Sequence, residues 1–168
     1  MELVLLRHGV AEDAGPATGH RDEPRALTEQ GAERMRRAAE GMARLGMRPG
    51  LLATSPLVRC AQTADIVGAA LDVEPVHDDR LRPGMRLDDV ADLLAEHPDA
   101  DSVWLCSHQP GLSLLVADLT GGGSVEFKKG GLAVLEVWAP RRAGATLLAL
   151  HPPRALRRLA ATGRPPQA

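Results

Sequence analysis

Aromatic residues are nearly absent from this chain of 168 residues, where they make up 2% of the sequence. Leucine, valine, alanine and methionine must therefore build the hydrophobic core. The only two cysteines, Cys60 and Cys106, lie in apolar segments. This favours buried, reduced thiols and a cytoplasmic protein rather than a disulfide-rich secreted one. No segment resembles a signal peptide and no apolar run reaches membrane-spanning length, so we expect no membrane association.

Lysine is also scarce, and the net charge is small. The lysines are Lys128 and Lys129, and the formal net charge is −2, which argues against a nucleic-acid-binding protein. The other basic residues are arginines, whose guanidinium groups suit bidentate phosphate contacts, although a G+C-rich genome produces the same bias. From Ala139 onward there are six arginines and no acidic residue. This pattern favours a solvated basic end over a docking patch.

Short apolar segments alternate with helical patterns along the chain. We predict strands over 3–6, 51–54, 73–77 and 103–106, and helices over 28–44, 57–71, 87–96, 110–119 and 155–161. Two further strands, 132–138 and 146–150, flank a turn and predict an antiparallel hairpin. The expected fold is α/β, a three-layer α/β/α sandwich with a mostly parallel central sheet and a C-terminal antiparallel hairpin. We expect one domain over residues 1–162 and a frayed tail over 163–168.

Histidine and arginine mark the ends of three predicted strands. Arg7 and His8 follow the first strand, His108 follows the fourth, and Arg59 lies in the first turn of the helix after the second. In an open α/β sheet, ligands bind outside the carboxyl ends of the strands. We therefore expect these side chains to form a site for an anion and for proton or phosphoryl chemistry.

Other phosphoryl-transfer sites are disfavoured by spacing. A cysteine phosphatase needs an arginine six residues after its cysteine, but those positions hold Ile66 and Leu112. The pair Asp99 and Asp101 precedes its strand instead of following it. The sequence contains no Walker-type phosphate loop and no zinc-ligand spacing, so we expect neither a metal nor another cofactor. A site built from histidine and arginine remains.

Three sequence blocks resemble the histidine phosphatase superfamily, which has the phosphoglycerate mutase-like fold. They are Arg-His-Gly at 7–9, Ser-Pro-Leu-Val-Arg-Cys-Ala-Gln-Thr-Ala at 55–64, and Ser-His-Gln-Pro at 107–110. Cys60 stands where the family usually has alanine. The small size of the chain, Arg-Ala-Leu-Thr at 25–28 and Phe-Lys-Lys-Gly-Gly at 127–131 are most similar to the SixA branch of protein-phosphohistidine phosphatases.

The resemblance implies a role for each of these residues. His8 is the implied nucleophile, which forms a phosphohistidine intermediate, and Arg7 and Arg59 hold the phosphoryl oxygens. His108, positively charged beside a dianion, stabilises the equatorial charge during transfer. Arg25 is implied as a third phosphate-binding cation, and Arg21 in the same loop is its rival.

One departure from the family concerns the general acid. Many relatives carry a glutamate after the third strand, where this chain has Arg82 or Pro83, and Asp78, Asp79 and Asp88 lie nearby. An enzyme without this acid should prefer phosphohistidine, because its imidazole leaving group is readily protonated. The implied substrate is a protein such as a histidine-containing phosphotransfer domain or a phosphotransferase-system carrier. The alternatives are a broad-specificity small-molecule phosphomonoesterase and, less favoured, a non-catalytic phosphoryl-binding module.

Overall fold

A computed structural model describes residues 1–161, so the predicted tail at 163–168 and the predicted domain limit at 162 lie outside the described residues. Six strands and five helices follow one another in this part of the chain. They are β1 (Glu2–Arg7), α1 (Glu29–Arg44), β2 (Leu51–Thr54), α2 (Val58–Leu71), β3 (Val76–His77), α3 (Leu87–Glu96), β4 (Ser102–Ser107), α4 (Gly111–Thr120), β5 (Leu132–Val137), β6 (Ala145–His151) and α5 (Pro153–Ala161). Two short 3₁₀ turns, Pro16–Thr18 and Asp79–Leu81, lie in the connections.

The strands form one sheet in the order β3-β2-β4-β1-β5-β6. The first four strands in this order run parallel, whereas β5 and β6 are antiparallel to their neighbours. This confirms the mostly parallel sheet and its C-terminal hairpin. Arg7 lies opposite Ser107, and Thr54 lies opposite Cys106. The carboxyl ends of β1, β2 and β4 therefore meet at one edge of the sheet.

Helices cover both faces of the sheet, as the three-layer prediction requires. One core layer packs α1, α2 and α5 against side chains such as Val4, Leu6 and Trp104. The other packs α3 and α4 against Leu3, Leu5 and their neighbours. Because β1 is buried on both faces, its sequence is continuously apolar instead of alternating. Trp104, one of the few aromatic residues, is fully buried.

Several element ends differ from the sequence prediction. The third strand is confined to Val76–His77 at the sheet edge, because only two of its residues pair with β2. Pro110 is the N-cap of α4 instead of its first helical residue. Thr28, the first residue of the predicted helix, is the N-cap of α1, since its side chain accepts a hydrogen bond from the amide of Gly31. Within residues 1–161, no helix is both long enough and apolar enough to span a membrane.

Candidate active site

Three strand ends bring the predicted histidines and arginines together. His8 directly follows β1, His108 directly follows β4, and Arg59 is the second residue of α2, just beyond the end of β2. All three side chains are buried. The amide of His8 donates to the carbonyl of Ser107, and the amide of Ser55 donates to that of Cys106, so backbone contacts fix the relative positions of the three strand ends.

The His8 imidazole directs a nitrogen lone pair toward Arg59. Its Nδ1 lies 2.8 Å from the carbonyl oxygen of Gly9, and its Nε2 lies 3.3 Å from Nε of Arg59. A carbonyl only accepts and a guanidinium only donates, so Nδ1 carries the proton and Nε2 is the acceptor. Burial lowers the pKa of His8 to about 3, and the positive charges of Arg59 and Arg7 add to this effect. The imidazole is therefore neutral near pH 7.

Arg59 uses two edges of its guanidinium group. The edge formed by Nε and Nη2 faces the imidazoles, with Nη2 lying 3.2 Å from Nδ1 of His108. The edge formed by Nη1 and Nη2 binds Asp22: Nη1 donates to its carbonyl oxygen at 2.9 Å and Nη2 to its Oδ2 at 2.7 Å. Contacts on both edges fix the orientation of the guanidinium. It presents a rigid fork of donors between the two histidines.

His108 is the second neutral imidazole of the site. Arg59 donates to its Nδ1, so its Nε2 carries the proton and donates to Oγ of Ser55 at 2.8 Å. Burial and, to a smaller extent, the charge of Arg59 lower the pKa of His108 to about 4. The ring centroids of His8 and His108 are 5.4 Å apart. The positive charge predicted for His108 therefore requires a bound dianion. An oxygen of this dianion would accept a hydrogen bond from the protonated Nδ1.

Arg7 supplies a second guanidinium. Its Nη1 donates to the carbonyl of Phe127 at 2.6 Å, whereas its Nε is buried and has no hydrogen-bond partner in the described part of the chain. Burial lowers the pKa of Arg7, and the negative charge of Glu126 partly opposes this. A buried donor without a partner destabilises a protein by about 1–3 kcal/mol. An oxyanion that accepts from Nε would offset this cost.

The loop between β1 and α1 places Asp22 against Arg59, and Arg25 of the same loop contacts the other oxygen of the Asp22 carboxylate. Arg25 donates from Nη1 to Oδ1 of Asp22 at 2.6 Å, so its contact with Arg59 runs through the Asp22 carboxylate. Arg21 is exposed. Asp22 is not among the residues predicted from the sequence, although its position three residues before Arg25 is a signal for an ion pair.

The second sequence block also supports the loop that follows His8. Oγ1 of Thr63 accepts from the amide of Gly9 at 3.0 Å, and Oε1 of Gln62 accepts from the amide of Leu27 at 2.7 Å. A Cβ atom at Gly9 would approach Cγ of Met35 to 2.7 Å, so only glycine fits without a shift of that side chain. The spacing of Gln62 and Thr63 after Arg59 therefore serves to hold the loop that carries His8.

Comparison with known proteins identifies the family to which this arrangement belongs. The model of the histidine phosphatase superfamily (branch 1) matches residues 3–83, which include His8, Asp22 and Arg59. The chain belongs to the histidine phosphatase superfamily. It is a phosphatase, and a non-catalytic phosphoryl-binding module is not the appropriate description.

Relatives of this histidine phosphatase match along most of their length. An uncharacterized protein of Picosynechococcus sp. is 34% identical over 148 residues, which cover 84% of this chain and 88% of that protein. A structure from Agrobacterium tumefaciens, described as a candidate phosphohistidine phosphatase SixA, is 28% identical with a TM-score of 0.74, covering 89% of this chain and 96% of that one. The resemblance to the SixA branch is thereby confirmed.

Two other solved structures share the fold. The protein histidine phosphatase SixA in complex with tungstate has a TM-score of 0.82 at 24% identity, covering 93% of this chain and 99% of that one. A protein of Escherichia coli K-12 described as an α-ribazole-5′-phosphate phosphatase has a TM-score of 0.71 at 20% identity, covering 90% and 96%. The fold therefore carries both protein-directed and small-molecule phosphatases.

Two carboxylates of the 78–88 segment, those of Asp78 and Asp79, are paired with arginines. Arg82, at the place of the missing glutamate, donates from Nε to Oδ1 of Asp79 at 2.6 Å. Hydrogen bonds from Arg80 lower the pKa of Asp78, which keeps this carboxyl ionised near neutral pH. Asp88 lies in the first turn of α3. Within residues 1–161, no group of three or more His, Cys, Asp or Glu side chains is arranged as a metal site.

The two neutral histidines predict a dependence of stability on pH. Their folded-state pKa values of about 3 and about 4 lie below the unfolded value, so the unfolded chain binds more protons as the pH falls below about 6.5. The free energy of unfolding should fall by about 2 kcal/mol per histidine between pH 7 and pH 5. Urea unfolding in phosphate-free buffer measures this loss.

Replacement of one buried histidine tests the origin of this loss. In His108→Gln the loss between pH 7 and pH 5 should shrink by roughly half, because one of the two titrating groups is gone. The exposed His77 offers a matched control, since His77→Gln should leave the loss as in the wild type. An unchanged loss in His108→Gln would contradict the neutral assignment of His108.

Proposed function

We propose that this histidine phosphatase removes phosphoryl groups from histidine residues of proteins and carries each group transiently on its own His8. The observation that carries the proposal is a neutral imidazole acceptor beside a fixed guanidinium fork, with the carboxyls of Asp22 and Asp78 held ionised by arginines. The similarity to structures described as SixA supports the same substrate class.

In the first half-reaction, Nε2 of His8 attacks phosphorus in line. The new P–N bond forms while the bond from phosphorus to the substrate imidazole breaks. Arg7 and Arg59 hold the phosphoryl oxygens, and His108 becomes positively charged beside the dianion. Arg25 acts indirectly: it donates to the Asp22 carboxylate, which in turn accepts a hydrogen bond from Arg59. Phosphoryl transfer depends mainly on positioning and charge stabilisation, which these side chains supply.

The leaving group decides the substrate class. An alkoxide must be protonated as it leaves, and general acid catalysis of this step contributes about 10²–10⁴-fold. Asp22 and Asp78 are poor acids, because arginines lower their pKa values. A phosphohistidine whose second ring nitrogen is already protonated leaves as a neutral imidazole and needs no such acid. Phosphohistidine is therefore the substrate that this set of side chains suits.

In the second half-reaction, water attacks the phosphoryl group on His8. The bond from phosphorus to Nε2 breaks, inorganic phosphate leaves, and the imidazole returns to the neutral form that burial favours. The hydrogen bond from Nδ1 to the Gly9 carbonyl holds the ring in the same orientation throughout. One nucleophile thus serves both half-reactions.

The proposal extends to the partner, the domain and the location. The substrate is a phosphohistidine-bearing protein, such as a phosphotransfer domain or a phosphotransferase-system carrier, and one catalytic domain spans residues 1–162. The protein acts in the cytoplasm, for which the two buried free thiols of Cys60 and Cys106 are the support.

Paired rates test the proposed function. The enzyme is given a phosphohistidine-bearing phosphotransfer domain and, separately, a panel of alkyl phosphates, all in EDTA. We expect kcat/KM for phosphohistidine to exceed that for the esters by at least about 100-fold, since the site has no general acid to protonate the alkoxide that leaves an ester. Activity should persist in EDTA. Release of inorganic phosphate measures both reactions.

Two outcomes would contradict the proposal. Alkyl phosphates turned over as fast as phosphohistidine would reveal an acid and favour a small-molecule phosphomonoesterase. Activity that EDTA removes and a divalent cation restores would overturn the metal-free mechanism. Activity that is unaffected by EDTA but absent in His8→Ala supports metal-free transfer through His8.

A further inference from the structure

Asp22 is the ionised carboxylate closest to the guanidinium that faces both histidines. Its Oδ2 accepts from Nη2 of Arg59 at 2.7 Å, and its Oδ1 accepts from Nη1 of Arg25 at 2.6 Å. Burial alone would raise the pKa of Asp22, but hydrogen bonds from Arg25 and Arg59 outweigh it and lower the pKa. Two arginines thus hold one negative charge at a fixed place beside the site.

Asp22 lies between the buried Arg59 side chain and the solvent. The inner edge of the guanidinium faces His8 and His108, which are buried, whereas the Asp22 side chain on the outer edge is 52% exposed. In-line attack by Nε2 of His8 places the leaving group on the side of phosphorus opposite His8. Because both histidines are buried and the Asp22 side chain is half exposed, a leaving group that belongs to a protein must extend toward the solvent side on which Asp22 lies.

The loop that carries Asp22 is anchored at several points. Arg25 donates from Nε to the carbonyl of Glu12, and Glu23, the next residue, accepts from Nη1 of Arg82 at 3.0 Å. Arg59 also binds the Asp22 carbonyl. Because backbone and side chain are both held, the carboxylate has a defined position instead of moving freely with the loop.

We propose that Asp22 is a specificity-determining residue, whose carboxylate favours a phosphohistidine substrate with a protonated, positively charged ring and disfavours phosphate esters, whose leaving oxygen gains negative charge. This inference rests on the proposed function, since it concerns the substrate of the same site. In the favoured step, Nε2 of His8 bonds to phosphorus, and the electron pair of the broken P–N bond returns to the substrate nitrogen. The leaving group, protonated on its other nitrogen, departs as neutral imidazole.

The sign of the effect differs between the two substrates. An opposite charge at about 4–6 Å favours the charged form of an ionisable group by one to three units of pKa. The half-exposed position of Asp22 puts its effect at the low end, which corresponds to about a tenfold gain in protonated phosphohistidine. An ester has no such proton to hold, and its leaving oxygen gains negative charge beside the carboxylate.

The variant Asp22→Asn separates charge from position. Asparagine keeps one side-chain oxygen that accepts from Arg59, and the backbone contact of residue 22 remains, but the negative charge and the acceptor for Arg25 are gone. We expect kcat/KM for the phosphotransfer-domain substrate to fall and kcat/KM for p-nitrophenyl phosphate to stay or rise. The ratio of the two should drop about tenfold. Asp13→Asn removes one charge from an exposed residue of the same loop and should leave the ratio unchanged.

Each outcome has one meaning for Asp22. A selective loss of phosphohistidine turnover in Asp22→Asn supports the specificity role. An equal loss with both substrates overturns it and leaves Asp22 as a positioning residue for Arg59. Unchanged kcat/KM values with both substrates overturn it as well. The wild-type preference for phosphohistidine tests the proposed function separately, so a failure there is distinguishable from a failure of the Asp22 inference.

Discussion

Replacement of His8 by alanine should slow phosphohistidine turnover by at least about 10⁴-fold and abolish the phosphoenzyme. Alanine has no nitrogen to bond to phosphorus, and the nearest other imidazole, His108, directs its protonated Nε2 to Ser55. Rapid mixing with a phosphohistidine-bearing phosphotransfer domain, followed by intact-protein mass spectrometry at alkaline pH, detects the phosphorylated enzyme. The same mixture gives the rate of phosphate release.

Oxyanion binding should survive the loss of His8. Arg7 and Arg59 keep their charges and most of their contacts, so the affinity for inorganic phosphate should stay within about tenfold of the wild type. Titration calorimetry measures it, and His77→Ala, on the exposed edge strand, is the matched control for both assays. Turnover near the wild-type rate in His8→Ala would rule out His8 as the nucleophile.

The convergence of His8, Arg59 and His108 was predictable from local sequence. Each residue follows an apolar segment, and parallel strands place their carboxyl ends at the same edge of a sheet. The observed register, with Arg7 opposite Ser107 and Thr54 opposite Cys106, produces this alignment. Short-range pattern and a general rule of sheet topology were therefore sufficient for this part of the candidate site.

The role of the β1–α1 loop was not predictable in the same way. Its residues have no helical or strand periodicity, and the contact of Asp22 with Arg59 spans 37 positions in the sequence. The family resemblance implies that Arg25 is a phosphate ligand, which stays a prediction, but it did not indicate the contacts of Arg25 with Asp22 and the Glu12 carbonyl. Long-range contacts of irregular segments depend on the complete fold, and a sequence pattern does not encode them.

Protonation states also depend on the complete fold. The sequence identifies His8 and His108 as candidate site residues but does not show that they are buried. Burial is the main cause of their lowered pKa values. The tautomers follow from partners that only the three-dimensional arrangement provides, namely the Gly9 carbonyl for His8 and the Ser55 hydroxyl for His108. The sequence could therefore name the nucleophile candidate, whereas the reactive nitrogen required the structure.

Arg59 offers the second large effect, through the geometry of its side chain more than through its charge. Its guanidinium contacts His8 and His108 with one edge and Asp22 with the other, and a lysine ammonium cannot contact all three at once. Arg59→Lys should therefore lower kcat/KM for phosphohistidine by about 10²–10³-fold, the usual effect of losing a donor to transition-state charge. Steady-state kinetics measures this loss, and the inhibition constant of inorganic phosphate should rise in parallel.

Folding must be checked separately, because Arg59 is buried and its replacement also affects stability. Urea unfolding should show that Arg59→Lys is still folded under the assay conditions. The matched control is Arg36→Lys, an exposed arginine of α1 whose ion pair with Glu33 lies at the surface, and it should leave kcat/KM unchanged. A folded Arg59→Lys with kcat/KM within about twofold of the wild type would mean that positive charge alone is sufficient. The two-edged guanidinium would then have no part in transition-state stabilisation, and the positions of Asp22 and His108 around it would need another explanation.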